Sequence, residues 1–197
     1  MWFSDECWFR LEAGRITQNC RILSKTQPNA TVDKPRKRKP VKYWASINGL
    51  GEIVFKEVDD TMTADNYLGM IKKLNPVMKF RKRMIQQDGA SIHRALKVRQ
   101  FVDKVCEKGW IGIGSSRMKW PGYSPDLTPC DYGLWAYILP RVIRRGATTR
   151  AQLKEFIEEE FESIPSEVIS NICLSVFDRC LTCIQNEGGN VEYYRRD

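Results

Sequence analysis

The stretch Trp120–Trp135, WPGYSPDLTPCDYGLW, leads three prolines and two aspartates into an apolar, aromatic run. Asp131, Leu134, Trp135 and Ile138 fall at i, i+3, i+4 and i+7, which puts them on one face of a helix. The spacing predicts a helix over about 131–139, broken or kinked at Pro140. Asp131 heads its core-facing stripe. Two roles are open to it: an N-cap, for which Asp is among the best residues, or a carboxylate leaning toward a sheet to join other acids. Asp126 precedes the stripe and reads as a loop residue shaping the turn. Pro121, Pro125 and Pro129 restrict that approach.

Two further acids stand out. MWFSDECWFRL reads as a strand in which Asp5 shares a face with Phe3 and Cys7, while Glu6 points the other way, toward solvent. An isolated buried carboxylate is strongly disfavoured. RMIQQDGA reads as a short buried strand ending at Asp88, with Gly89 as breaker. Each acid has an ordinary reading, Asp5 satisfied by an amide and Asp88 as a turn residue. On adjacent strands about 4.8 Å apart, however, the two would repel until one is protonated or a cation binds. With Asp131 they make an oxygen-rich site suited to Mg2+ or Mn2+. Two such ions about 3.5–4 Å apart clamp the attacking and leaving oxygens of a phosphodiester. GWIGIGSS, Gly109–Ser116, lacks the Gly-Lys-Ser/Thr of a phosphate loop.

The remaining pattern supplies the frame. VKYWASINGLGEIVFKEV reads as a hairpin turning at Asn48-Gly49. A helix is expected over about 63–73, before Pro76; Val98, Phe101, Val102 and Val105 mark another, and a short strand is expected around Ile111. Thr149 and Gln152 make a capping box ahead of an apolar stripe of Leu153, Phe156, Ile157, Phe161 and Ile164. Val168, Ile172, Val176 and Cys180 mark a last helix, stopping before Gly188-Gly189. The order points to a mixed α/β core with a helical C-terminal layer. A chain of 197 residues suits one domain. Its 32 Lys and Arg against 24 Asp and Glu give a net charge of +8, which points to a polyanionic partner, most often nucleic acid. Seven cysteines form no framework, and no signal peptide or apolar span precedes them, which favours a reducing compartment. Cys180-x-x-Cys183 lacks a second pair, and Cys173, Cys180 and Cys183 read as buried helix positions. A start in mid-strand raises the expectation that the chain is the C-terminal part of something longer, or a shortened gene product.

FSDE, QQDGASIH and SPDLTPCDYGLW resemble the three acidic motifs of mariner-type transposases, within the Tc/mariner and wider DDE/DDD superfamily. The match maps the family's catalytic, metal-binding acids onto Asp5, Asp88 and Asp131, and the motif histidine onto His93. The resemblance runs over nearly the whole chain. It implies an RNase H-like α/β fold, with a mixed five-stranded sheet flanked by helices and the acids at its centre. It also implies cutting at transposon ends and joining to target DNA with two Mg2+ or Mn2+ ions, no covalent intermediate, and a homodimer. Forty-two residues lie between Asp88 and Asp131, more than the commonest mariner interval, and the family's N-terminal helix-turn-helix region has no counterpart here.

The catalytic core is expected over residues 1–147, with a basic loop at about 24–41, and a helical extension of the same domain over 148–197. In that loop Arg36, Lys37, Arg38 and Lys39 lie between prolines, fit to contact DNA phosphates or to act as a nuclear localisation signal; His93 joins them as an expected DNA contact. Lys79, Arg81, Lys82 and Arg83, and Arg141, Arg144 and Arg145, flank the proposed site. Trp120 and Tyr123 read as residues closing over a core, with stacking on an unpaired base as the alternative. Neither a membrane nor a small-molecule substrate is expected. Two alternatives to a working nuclear transposase stay open: a remnant kept as a non-catalytic DNA-binding or interaction domain, and a structure-selective nuclease on the same fold.

Overall fold

A computed structural model describes residues 1–11, 39–59 and 61–191. Strands β1 (Trp2–Phe9), β2 (Val41–Asn48), β3 (Ile53–Val58) and β4 (Ile85–Gln86) form one sheet in the order β3-β2-β1-β4. The first three pair antiparallel and β4 runs parallel to β1. Helices α1 (Ala64–Met78), α2 (Ser91–Arg94) and α3 (Leu96–Val105) follow in the first half. A π-helical turn, Cys130–Trp135, runs into α4 (Ala136–Arg144), followed by α5 (Arg150–Glu162) and α6 (Ser166–Gln185).

Alternation along the strands builds two cores. Phe3, Cys7, Phe9, Val41, Tyr43, Ala45 and Ile47 face the layer made by the π-turn, α4, α5 and α6. Trp2 and Trp44 face α1 and α3, packing with Tyr67, Ile71, Val98 and Val102. Every residue of β2 is buried, because both faces are covered. Asp5 therefore points into the layer that carries Asp131, whereas Glu6 points toward α1–α3.

The sheet has four strands among the described residues, where the resemblance implies five. At the fifth position Ile111 alone bridges to Gln86. The Gln87 N–H donates to its carbonyl at 2.9 Å, and its own N–H donates to the Ile85 carbonyl at 2.9 Å. Glycines end this run. A Cβ on Gly112 would come within 2.7 Å of the Trp110 ring, and Gly114 sits at φ +90, so the backbone turns away after one pair.

The prolines also depart from expectation. Pro76 lies inside the last turn of α1, which starts at the N-cap Thr63 and ends on Lys79 in the left-handed conformation. Pro140 lies inside α4 and does not end it. The π-turn brings Gly133 against α6 so closely that a Cβ there would lie 2.4 Å from Ile172. Asn48 shapes the hairpin, accepting from the Leu50 N–H at 2.9 Å, but the left-handed residue is Gly51, at φ +78, and not Gly49. In α5 the Gln152 N–H donates to Thr149 Oγ1 at 3.2 Å, while its side chain returns to Thr148 instead of closing the box on Thr149. The last helix buries Ile169, Cys173 and Val176, half-buries Cys180 and Cys183, and leaves all of its cysteines free. Among the described residues no helix is long and apolar enough to cross a membrane.

Candidate active site

Asp5 lies mid-strand in β1, and the π-turn delivers Asp131 opposite it. Trp135, one turn beyond Asp131, donates its indole Nε1–H to Asp5 Oδ2 at 2.7 Å. The stripe seen in the sequence thus does two things: Leu134 and Ile138 seal the core, and Trp135 orients the first acid. Asp131 is no cap; Pro129 holds the N-cap position, and Asp131 is exposed along its outer edge. Its carboxyl meets Asp5. Burial and the Asp131 charge push the Asp5 carboxyl well above the usual carboxylate range, against hydrogen bonds from Trp135 and the Glu6 N–H. Burial likewise raises Asp131, with the Asp5 hydrogen bond opposing and the Asp88 charge adding to the rise. Two touching carboxyls hold a proton between them unless a cation replaces it.

Asp88 sits two residues past the end of β4, in line with the register Trp2↔Ile85 and Phe3↔Gln86 that runs toward Asp5. Its charge reaches both other acids. Its Oδ1 receives His93 Nδ1 at 2.6 Å and the Ala90 N–H at 3.0 Å. Burial alone would raise its pKa; the His93 hydrogen bond and charge and the Ala90 N–H outweigh that and hold it below the usual range. Asp5 and Asp131 are thus raised together while Asp88 is lowered.

An all-oxygen donor set of this charge fits a hard divalent cation. Among the described residues, no three His, Cys, Asp or Glu side chains gather closely enough to hold a metal. Asp5 and Asp131 are brought together, and Asp88, committed through Oδ1 to His93, stands off from them. Asp88 and Asp131 line one cavity of about 470 Å³, with Arg94, Trp120 and Tyr123 on its walls. Asp131 also borders a second cavity of about 630 Å³, with Glu6, Arg10 and Trp135.

Several expectations are corrected here. His93, expected to touch DNA, is only 3% exposed and packs on the Tyr67 ring at 4.7 Å; its neighbours demand burial, and it serves Asp88. Glu6, expected in solvent, is half-buried because it faces the covered side of the sheet, with Oε2 3.3 Å from Lys42 Nζ. Tyr123 closes over no core: it is fully exposed, at φ 58. Trp120 does pack against the core. Asp126 does more than shape a turn. It is buried, its Oδ2 accepts the Val191 N–H at 2.9 Å, and its carbonyl accepts from Arg179 at 2.7 Å, tying α6 and Val191 to the loop. Arg36, Lys37 and Arg38 lie outside the described residues, and Lys39 is exposed. Of the flanking bases, Arg81 pairs with Glu107, Arg83 with Glu52 and Arg145 with Glu159. Arg94, absent from the sequence reading, is exposed at the cavity beside Asp88.

The raised pair has a consequence for stability. Carboxyls whose folded pKa exceeds the unfolded value of 3.8 contribute stability below that pH and lose it as pH rises through the folded pKa. Asp88, lowered, acts oppositely, its contribution vanishing as pH falls through its folded pKa. Asp5→Asn is therefore expected to raise the metal-free unfolding free energy at pH 7 by about 0.5–2 kcal/mol, and to flatten its decline above pH 4. Urea melts over a pH series check both; a less stable variant at pH 7 would show that the pair is not repulsive.

No family model matches the chain. It is 25% identical over 202 residues to the transposable element Tc3 transposase of Caenorhabditis elegans, an alignment covering 97% of this chain and 57% of that protein. It is 32% identical over 157 residues to the Tcb2 transposase of Caenorhabditis briggsae, covering 78% of this chain and 54% of that one. The chain is similar to these two nematode transposases. It spans about half the length of these curated relatives. Its fold matches the Mos1 transposase catalytic domain solved with raltegravir and Mg, at TM-score 0.68 and 19% identity, over 95% of this chain and 83% of that one. It also matches Mos1 transposase in its paired-end complex with the left transposon end, at TM-score 0.67 and 19% identity, over 96% of this chain and 56% of that one. The chain accordingly has an RNase H-like α/β fold, with Asp5 on the inner strand β1 and Asp131 on the π-turn that packs over it.

Proposed function

We propose that the chain is the catalytic domain of a cut-and-paste DNA transposase, acting in the nucleus by metal-dependent phosphoryl transfer. The contact between Asp5 and Asp131, with Asp88 charged nearby on the same cleft, carries this reading. Asp5, Asp131 and Asp88 would hold Mg2+ or Mn2+, which supplies Lewis-acid polarisation of a phosphodiester and activates the attacking hydroxyl or water. The chain's own residues do the rest. Trp135 holds Asp5 in direction, and burial makes the carboxyl pair unwilling to stay doubly ionised without a cation. Arg94 and Lys39 offer exposed charge for DNA phosphates, as would Arg36, Lys37 and Arg38. The paired-end Mos1 complex supports transposon-end DNA as the partner, and a dimer as the working form.

The test is nicking of supercoiled plasmid by the purified chain in Mn2+ or Mg2+, followed by joining of a pre-cut 3′-hydroxyl end. Nicking with joining is expected. Nicking without joining would mark a nuclease, and DNA binding with neither would mark a non-catalytic remnant. The remnant reading has one observation in its favour, that Asp88 is engaged with His93 instead of closing on the other two acids.

Tyr123 offers an exposed ring at the cleft rim. Stacking on an unpaired base is worth about 1–3 kcal/mol. Tyr123→Ala is thus expected to weaken single-stranded DNA binding about fivefold or more while leaving the thermal midpoint in place. Fluorescence anisotropy at fixed salt reads this; unchanged affinity would remove the ring from the DNA surface.

A further inference from the structure

We propose that His93, backed by Glu6, is a positioning residue that fixes the direction in which Asp88 presents its carboxylate to Asp5 and Asp131. Its catalytic meaning rests on the metal reading above. Asp88 lies beyond the last ladder residue of β4 and just before Gly89, so no strand pairing fixes its side chain. What holds it is local: the Ala90 N–H at 3.0 Å and His93 Nδ1 at 2.6 Å, both on Oδ1. Oδ2 takes part in neither contact. A carboxylate held by one oxygen offers the other to a cation in a fixed direction.

The histidine is itself braced. Its ring is buried against Tyr67, and on its far side Nε2 stands 4.0 Å from Glu6 Oε1. Both of those atoms are buried and have no hydrogen-bond partner, so a small closure would satisfy the two together. The other Glu6 oxygen is 3.3 Å from Lys42 Nζ, which lies 5.0 Å from the centre of the Trp8 ring. A line of polar groups, Lys42–Glu6–His93, therefore lies on the sheet face opposite Asp5 and reaches Asp88 just past the end of β4. Because Asp5 and Glu6 are neighbours in β1, the strand that carries one acid also anchors the partner of another. An imidazole braced between carboxylates is the arrangement by which outer groups orient metal ligands, and losing one costs about 10–100-fold in metal affinity.

The test uses the full chain, free of metal and with Mn2+ as probe, in His93→Ala, His93→Asn and Glu6→Gln. Asn places an amide donor near the position of Nδ1. Metal-free crystal structures are expected to show the Asp88 carboxylate displaced in His93→Ala and retained in His93→Asn. Calorimetric Mn2+ affinity should fall about tenfold or more in His93→Ala and return to within about threefold of wild type in His93→Asn, at equal thermal midpoints. An undisplaced Asp88 in His93→Ala overturns the proposal, as does failure of Asn to rescue a folded protein. If His93→Ala does not fold, Glu6→Gln decides: a weaker Mn2+ affinity supports the brace, and wild-type affinity overturns it. A wild-type chain that binds no Mn2+, while Asp88 still shifts in His93→Ala, supports the positioning role and overturns the metal reading instead.

Discussion

Asp5→Ala, Asp88→Ala and Asp131→Ala are each expected to lower Mn2+-dependent nicking of DNA by at least about 10³-fold, since metal stabilisation of a phosphoryl transition state is worth several kcal/mol and each 1.4 kcal/mol is tenfold. Folding should survive. Asp131 is exposed at its edge, and removing either member of a repelling pair relieves strain. Asp126→Ala is the informative contrast. Five residues from Asp131 and equally acidic, it sits in no carboxylate cluster and holds the Val191 N–H. Its loss strands a buried donor, at a cost of about 1–3 kcal/mol in stability, while nicking well below the melting temperature persists. Plasmid nicking beside thermal melts separates the two aspartates. Equal activity losses for both would dissolve the distinction drawn between them.

Phe161→Ala is expected to produce the largest loss of stability, about 3–5 kcal/mol. Phe161 is fully buried, stacked on Phe55 at 4.4 Å and 9°, with Tyr43 at 5.7 Å and Trp135 edge-on at 6.2 Å. The truncation opens a cavity where the sheet, α5 and the π-turn meet. Trp135 is the donor to Asp5, so the cavity also loosens the acid it orients. Phe156, on the same predicted stripe, is half-buried beneath the Arg145 guanidinium at 3.9 Å. Phe156→Ala should cost only about 1 kcal/mol. Urea denaturation of both variants checks the ranking, and a reversal would place the core elsewhere.

Much of this was legible in the sequence because period and chemistry agreed. Strand alternation put Asp5 among Phe3 and Cys7, and the 3–4 spacing put Asp131 on the face of Leu134 and Trp135. What escaped reading depended on contacts from distant segments. Glu6 looks like the solvent side of a strand, but α1–α3 cover that face and turn it into a buried partner of Lys42. Nothing near Asp126 announces Val191, 65 residues away. The fifth strand failed because close approach of Trp110 and a left-handed Gly114 matter more there than the apolar run. In α6 the apolar residues go nearly all round: Leu174, Phe177, Leu181 and Ile184 are exposed while Ile169 and Cys173 are buried, so periodicity alone could not choose the inner face. Arg94 escaped, and Tyr123 reads as a core residue in preference to an exposed one, for the opposite reason, since exposure at a cleft leaves no periodic trace.

A crystal of the full chain soaked in Mn2+ and measured for anomalous scattering puts the matter most directly. The expected peak lies between Asp5 and Asp131, within about 2.0–2.6 Å of an oxygen of each, with Asp88 Oδ2 completing the protein ligands while Oδ1 stays on His93. Strong Mn2+ density elsewhere, or none at saturating metal with the two carboxyls still in contact, would contradict a metal-dependent centre on this fold.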